Sequence, residues 1–145
     1  MRIAPSLFIL MVFMCVSQSI KAQVLEITIS NVQNTSGRLC IAIFDNDHNY
    51  REEKPFAARY LDKDTLMCTT VKVDIPVCPG TYGLTVLDDE DGNEKLTLNF
   101  LGIPKEGFGF SNYTLKGLRR PHFDHFSFTV NRDERLAIHV IMKYF

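Results

Sequence analysis

Five stretches of this chain alternate apolar and polar residues with a period of two. Leu25, Ile27 and Ile29 form the first, and Met67, Thr69, Val71, Val73 and Ile75 mark the second, which reads as one strand from Met67 to Ile75. Tyr82, Leu84 and Val86 form the third, and Phe126, Phe128 and Val130 the fourth. The fifth runs through Leu136, Ile138, Val140, Met142 and Tyr144. Successive side chains of an extended strand point to opposite faces, so each run describes a strand with one face on a core. Leu39 to Phe44 is apolar throughout and reads as a central strand covered on both faces. Turn chemistry separates the runs at Asn34–Gly37, Pro76–Gly80, Asp88–Asn93 and Asn131–Glu134. Only Asn49–Leu61 has room for a short helix or an irregular crossover. Short strands at this spacing, without a helical period, predict an all-β sandwich. A closed barrel is the alternative, but the long polar insertion from Asp88 to Pro121 suits a sandwich better.

The N-terminus reads as an address. Arg2 precedes the apolar run Leu7–Val16, polar residues follow, and the small Ala22 stands before Gln23. This is the pattern of a signal peptide over residues 1–22, cleaved at Ala22/Gln23. The apolar run is far short of the roughly 20 residues needed to span a bilayer. Met14 before Cys15 does not fit a lipoprotein site. Residues 23–145 are then one domain, exported to the periplasm or beyond, with no transmembrane segment. The whole chain has a formal net charge of −1, and losing Arg2 and Lys21 makes it more acidic, so nucleic acid is excluded as a partner. Cys40, Cys68 and Cys78 remain, an odd number that allows at most one internal bridge. An extended Met67–Ile75 would hold Cys68 and Cys78 too far apart to pair, so Cys40 is the expected participant in any bridge.

The segment with most chemical content is Pro79–Asn112. Asp89, Asp91 and Asn93 stand at alternate positions around Gly92, and Thr97 follows. Such spacing turns oxygen ligands toward a hard cation, and Ca²⁺ takes six to eight oxygens at roughly 2.4 Å. Asp89, Asp91, Asn93 and Thr97 are therefore the candidate metal ligands, with the Lys95 carbonyl as a further oxygen. The match to an EF-hand loop is partial, because Glu94 and Phe100 occupy the positions of its glycine and its bidentate acid. Read without a metal, the segment is a solvated acidic turn. Beyond it, glycines interleave with Phe108 and Phe110, which would cover a sheet edge or line a groove, or pack on each other in a self-contained loop. A buried Glu106 would need backbone N–H partners, which such a loop can offer. Glu106, Phe108, Phe110 and Asn112 form the candidate binding loop.

Asp89–Asn112, DEDGNEKLTLNFLGIPKEGFGFSN, resembles the signature of the bacterial family known as domain of unknown function 2141. That family's loop follows the pattern D-E-N-G-N-x-K-L-D-x-N-x-x-G-x-P-x-E-x-x-G-F-S-N. The similarity extends to Gly37–Phe44, to the Pro79-Gly80-Thr81-Tyr82 turn, and to Pro121 with Phe123. Asp91 replaces an asparagine of the pattern and keeps an oxygen, whereas Thr97 replaces an aspartate and removes a carboxylate. The resemblance implies export and a sandwich core but carries no activity with it.

Other motifs are thinner. His122 and His125 form an HxxH that a strand would send to different faces, and they lack a third zinc ligand. His139 is expected at the surface, and His48 follows Asp45 and Asp47 in an acidic loop. Asn34-Thr35-Ser36 and Asn112-Tyr113-Thr114 are formal glycosylation sequons, and Asp64-Thr65-Leu66 resembles a short O-glycosylation motif. No GxSxG, HExxH or cysteine–histidine pair suggests catalysis. The expectation is an immunoglobulin-like or prealbumin-like antiparallel β-sandwich of about seven strands with one long loop. It would bind an envelope ligand or protein through residues 88–112, ordered by Ca²⁺, without being an enzyme. The alternative is a small envelope hydrolase of glycans or peptides, using Glu106 or Asp89 as general acid or base.

Overall fold

The computed structural model describes residues 23–64, 66 and 69–145, so residues 1–22, on which the signal-peptide reading rests, and Thr65, Met67 and Cys68 lie outside the described residues. The described chain is an all-β sandwich of eight strands in two sheets. Strand β1 (Gln23–Ser30) is central in a three-stranded sheet, between β4 (Val71–Val77) and β8 (Arg135–Ile141). In the second sheet β3 (Ala57–Asp62) pairs with β2 (Arg38–Phe44), and β2 pairs with β5 (Gly80–Asp89). The far edge of β5 is shared: β7 (Ser127–Val130) takes Gly80–Gly83 and β6 (Phe108–Phe110) takes Thr85–Leu87.

The period-two rows of β1, β5 and β8 become inner faces, joined by Val130 of β7, whereas Phe126 precedes β7 and packs in a separate cluster. Leu25, Ile27 and Ile29 of β1 are buried against Leu39, Ile41 and Ile43 of β2, Tyr82, Leu84 and Val86 of β5, and Ile138 and Val140 of β8. Each such side chain contributes on the order of 1.5–3 kcal/mol by leaving water.

Several expectations change in detail. The β1–β8 pair is parallel, so the sandwich is mixed rather than wholly antiparallel. Among the described residues of the second run the strand begins at Val71, after a bend at Thr69, and it continues to Val77, while Met67 and Cys68 lie outside the description. Asn49–Leu61 holds the end of a short helix, α1 (Asp47–Arg51), and nearly all of β3. Leu39–Phe44 is central, but its outward residues Cys40 and Ala42 are only half-buried, because the second sheet's outer face is incompletely covered. The long insertion contains β6, so Phe108 and Phe110 are strand residues.

One end of that outer face carries a second core. Phe44, Tyr50, Phe110, Leu115, Phe123 and Phe126 cluster there, under α1 and a turn of 3₁₀ helix at Phe123–His125. Gly83 makes the close approach possible, since a Cβ there would sit 2.6 Å from Phe126 and 2.7 Å from Phe123. No helix among the described residues is long and apolar enough to cross a membrane.

Candidate functional site

Alternation along β5 sends its last two residues in opposite directions. Asp88 follows the inward row of Leu84 and Val86, and Asp89 the outward row of Thr85 and Leu87. Both carboxylates are fully buried. Asp88 forms an ion pair with Lys63, which is also fully buried, and accepts a 2.7 Å hydrogen bond from the Tyr144 hydroxyl. Lys63 Nζ also donates to Asn34 Oδ1 at 2.5 Å. Burial and the Asp88 hydrogen bond push the Tyr144 phenol well above its usual range.

Asp89 is held differently. Its Oδ2 accepts from Arg38 Nε at 3.1 Å and from the Glu94 N–H at 3.3 Å, and the Cys40 thiol lies 3.7 Å away. Burial would raise the Asp89 pKa, but Arg38 and the N–H groups of Glu94 and Gly92 outweigh it and hold the carboxyl below its ordinary value. Burial, with Asp89 beside it, pushes the Cys40 thiol up to about 12, which keeps it protonated and unreactive. Among the described residues, Cys40 and Cys78 are free thiols.

Glu106 is 4% exposed, and both of its oxygens accept backbone N–H bonds, from Glu90 at 3.1 Å and from Thr97 at 2.9 Å. The side chain thus staples the base of a short hairpin to the end of β5. The hairpin is closed by Lys105 N–H to the Thr97 carbonyl (2.9 Å) and Asn99 N–H to the Ile103 carbonyl (2.8 Å). Asn99 Oδ1 accepts from the N–H groups of Leu101 and Ile103 at the tip, where Phe100 is 95% exposed.

The sequence-derived ligands separate into two groups. One carboxylate oxygen each of Asp89, Asp91 and Glu106 lies within 4.8 Å of the others, the one such acidic cluster among the described residues. Asn93 and Thr97 instead hydrogen-bond Asp91, at 2.8 Å and 3.0 Å to its Oδ2. Asn112 lies apart from the cluster, exchanging hydrogen bonds with the backbone of His139. His122 and His125 meet edge to face at 5.6 Å rather than pointing apart, since the local structure is a 3₁₀ turn and not a strand. Asp45 caps side-chain amides of Asn46 and Asn49 beside α1, and Asp47 pairs with Arg51, so that acidic loop serves the helix.

Between the acidic end and the aromatic end lies a trough of about 500 Å³ over the second sheet. Its floor exists because outward positions there are small: Ala42 of β2 is paired with Ala58 of β3 on one side and Thr85 of β5 on the other. Leu96, Leu98 and Pro104 of the hairpin line it, as do Phe108, Phe110 and Leu118.

A family model described as an uncharacterized protein conserved in bacteria, domain of unknown function 2141, matches residues 27–138. The chain belongs to that family. The matched segment of domain of unknown function 2141 runs from β1 into β8 and contains the acidic cluster, the hairpin and the trough, with Tyr144 beyond it. No curated protein and no solved structure matches the chain significantly.

Lys63, Arg38 and Tyr144 were not among the residues singled out from sequence. Arg38 had a usable signal, being polar at the mouth of an apolar strand, and Tyr144 was visible only as the end of an inward-facing row, whereas Lys63 had none.

Proposed function

We propose that this is an exported, non-enzymatic binding protein of the cell envelope whose working surface is the trough, with the hairpin at residues 94–106 as one wall. The signal-peptide pattern of residues 1–22 supports export. The observation that carries the binding role is the trough itself: its volume of about 500 Å³ falls in the range of small-molecule sites, and its floor and walls are largely apolar. Of the charged residues that line it, Glu53, Glu94 and Arg120 are engaged with neighbours, and exposed Lys95 makes no ion pair among the described residues. Glu94 pairs with Arg38 at 2.9 Å, and Arg120 donates to Glu53 and to the Tyr50 carbonyl while stacking on the Tyr50 ring at 4.2 Å. The trough therefore asks its ligand mainly for apolar surface, as an acyl or aromatic group provides, with Lys95 the one lining cation left without an ion pair among the described residues. The hydrolase alternative fits less well, because both oxygens of Glu106 are bound to backbone amides and Asp89 is clamped by Arg38.

The test is titration with the fluorescent apolar probe N-phenyl-1-naphthylamine. Saturable enhancement is expected, weakened about tenfold by Ala58→Trp, which fills the floor from an exposed edge position. Enhancement that does not saturate, or that is equal in the variant, would overturn the reading.

A further inference from the structure

We propose that Asp89, Asp91 and Glu106 bind a Ca²⁺ ion that clasps the base of the hairpin to the end of β5. Two independent observations meet here. The first is spacing: the three carboxylate oxygens lie within 4.8 Å of one another, and two oxygens bound to one Ca²⁺ at roughly 2.4 Å cannot be farther apart than that. The second is an orphaned acceptor. Asp89 has no exposed side-chain surface, its Oδ2 is taken by Arg38 and Glu94, and no hydrogen bond of normal geometry reaches its buried Oδ1 among the described residues, the nearby Gly92 N–H included. Buried acceptors are nearly always satisfied, so an unsatisfied oxygen on a carboxylate that belongs to this cluster calls for a cation.

Asp88 Oδ1 differs, because the Lys63 ammonium lies against it. The N–H bonds at Glu106 leave each of its oxygens a second lone pair for a metal. A donor set made only of carboxylate oxygen suits a hard cation, and water from the open Asp91 side would complete the shell. Asn93 and Thr97 act through Asp91: their hydrogen bonds to its Oδ2 fix its carboxylate and make them positioning residues. The site joins three stations of the chain, the end of β5, the turn at Gly92 and the return of the hairpin. Occupancy would therefore stiffen the segment that walls the trough. The assignment does not depend on what the trough binds.

The experiment is thermal unfolding of the whole protein after treatment with chelator, with and without millimolar CaCl₂, beside Tb³⁺ luminescence sensitised by tyrosine. Tyr60 is the nearby antenna, its hydroxyl 3.5 Å from Glu94, and the chain has no tryptophan to compete. Calcium is expected to raise the midpoint by several degrees and to displace Tb³⁺. Both effects should vanish in Asp91→Ala, whose exposed side chain can be removed without touching the core, and should weaken in Glu106→Gln. An unmoved midpoint at millimolar calcium, or a shift that survives intact in Asp91→Ala, would overturn the site. Neither readout requires a ligand in the trough, so that failure would leave the apolar-ligand reading standing.

Discussion

Lys63 has no exposed surface, and an ammonium is expelled from water only where partners replace the solvent. Here Asp88 supplies the charge and Asn34 a second acceptor, while Tyr144 takes the other oxygen of Asp88. Lys63→Met would leave Asp88 buried with its charge uncompensated, and a loss of about 3–5 kcal/mol in urea unfolding is expected. Adding Asp88→Leu to that variant should recover much of the loss, because the stranded charge goes with it. A loss below about 1 kcal/mol for Lys63→Met alone would show that the lysine is solvated in the folded protein. None of this network was legible in the sequence, where its members are scattered from residue 34 to residue 144. The acids were easier to find, since Asp89 and Asp91 announce themselves by spacing. Glu106 was picked out as a buried acid needing amide partners, but its nearness to Asp89 depends on how the hairpin folds back.

At the scale of elements, strands that bury an alternating face were readable and edge elements were not. The sequence AARYLD of β3 alternates weakly, because this edge strand leaves Ala58 and Tyr60 exposed on its outer side. β6 is three residues long and hides among glycines, and only pairing with Thr85–Leu87 makes it a strand. The outer face of the second sheet owes its shape to small residues at different places. Ala42 and Ala58 leave the trough open, whereas Gly83 lets Phe123 and Phe126 settle directly on the backbone. Gly83→Ala puts a methyl into rings that are themselves buried, and a loss of about 1–3 kcal/mol is expected by thermal or urea unfolding. An unchanged midpoint would mean that the aromatic cluster re-packs freely and does not set the trough's closed end.

For the whole molecule, two apolar layers and their facing residues followed from the period of two, as did the sandwich that joins them. Periodicity is blind to direction, which is why the parallel β1–β8 pair went unread: a strand buries the same residues whichever way its neighbour runs. That pair also governs how the protein can fold. β1 is the first strand described and β8 is the last, with Ser30 bonded to Val140 across 110 residues of chain. Every conformation that places them side by side must first close almost the entire polypeptide into a loop, and that entropy is spent before the contacts reward it. High contact order of this kind belongs to chains that refold in milliseconds to seconds, and stopped-flow refolding is expected to fall there; a microsecond phase that recovers the whole signal would contradict it. A chain still lacking β8 has a β1 edge with nothing to pair, so native structure waits on a strand made more than a hundred residues after its partner.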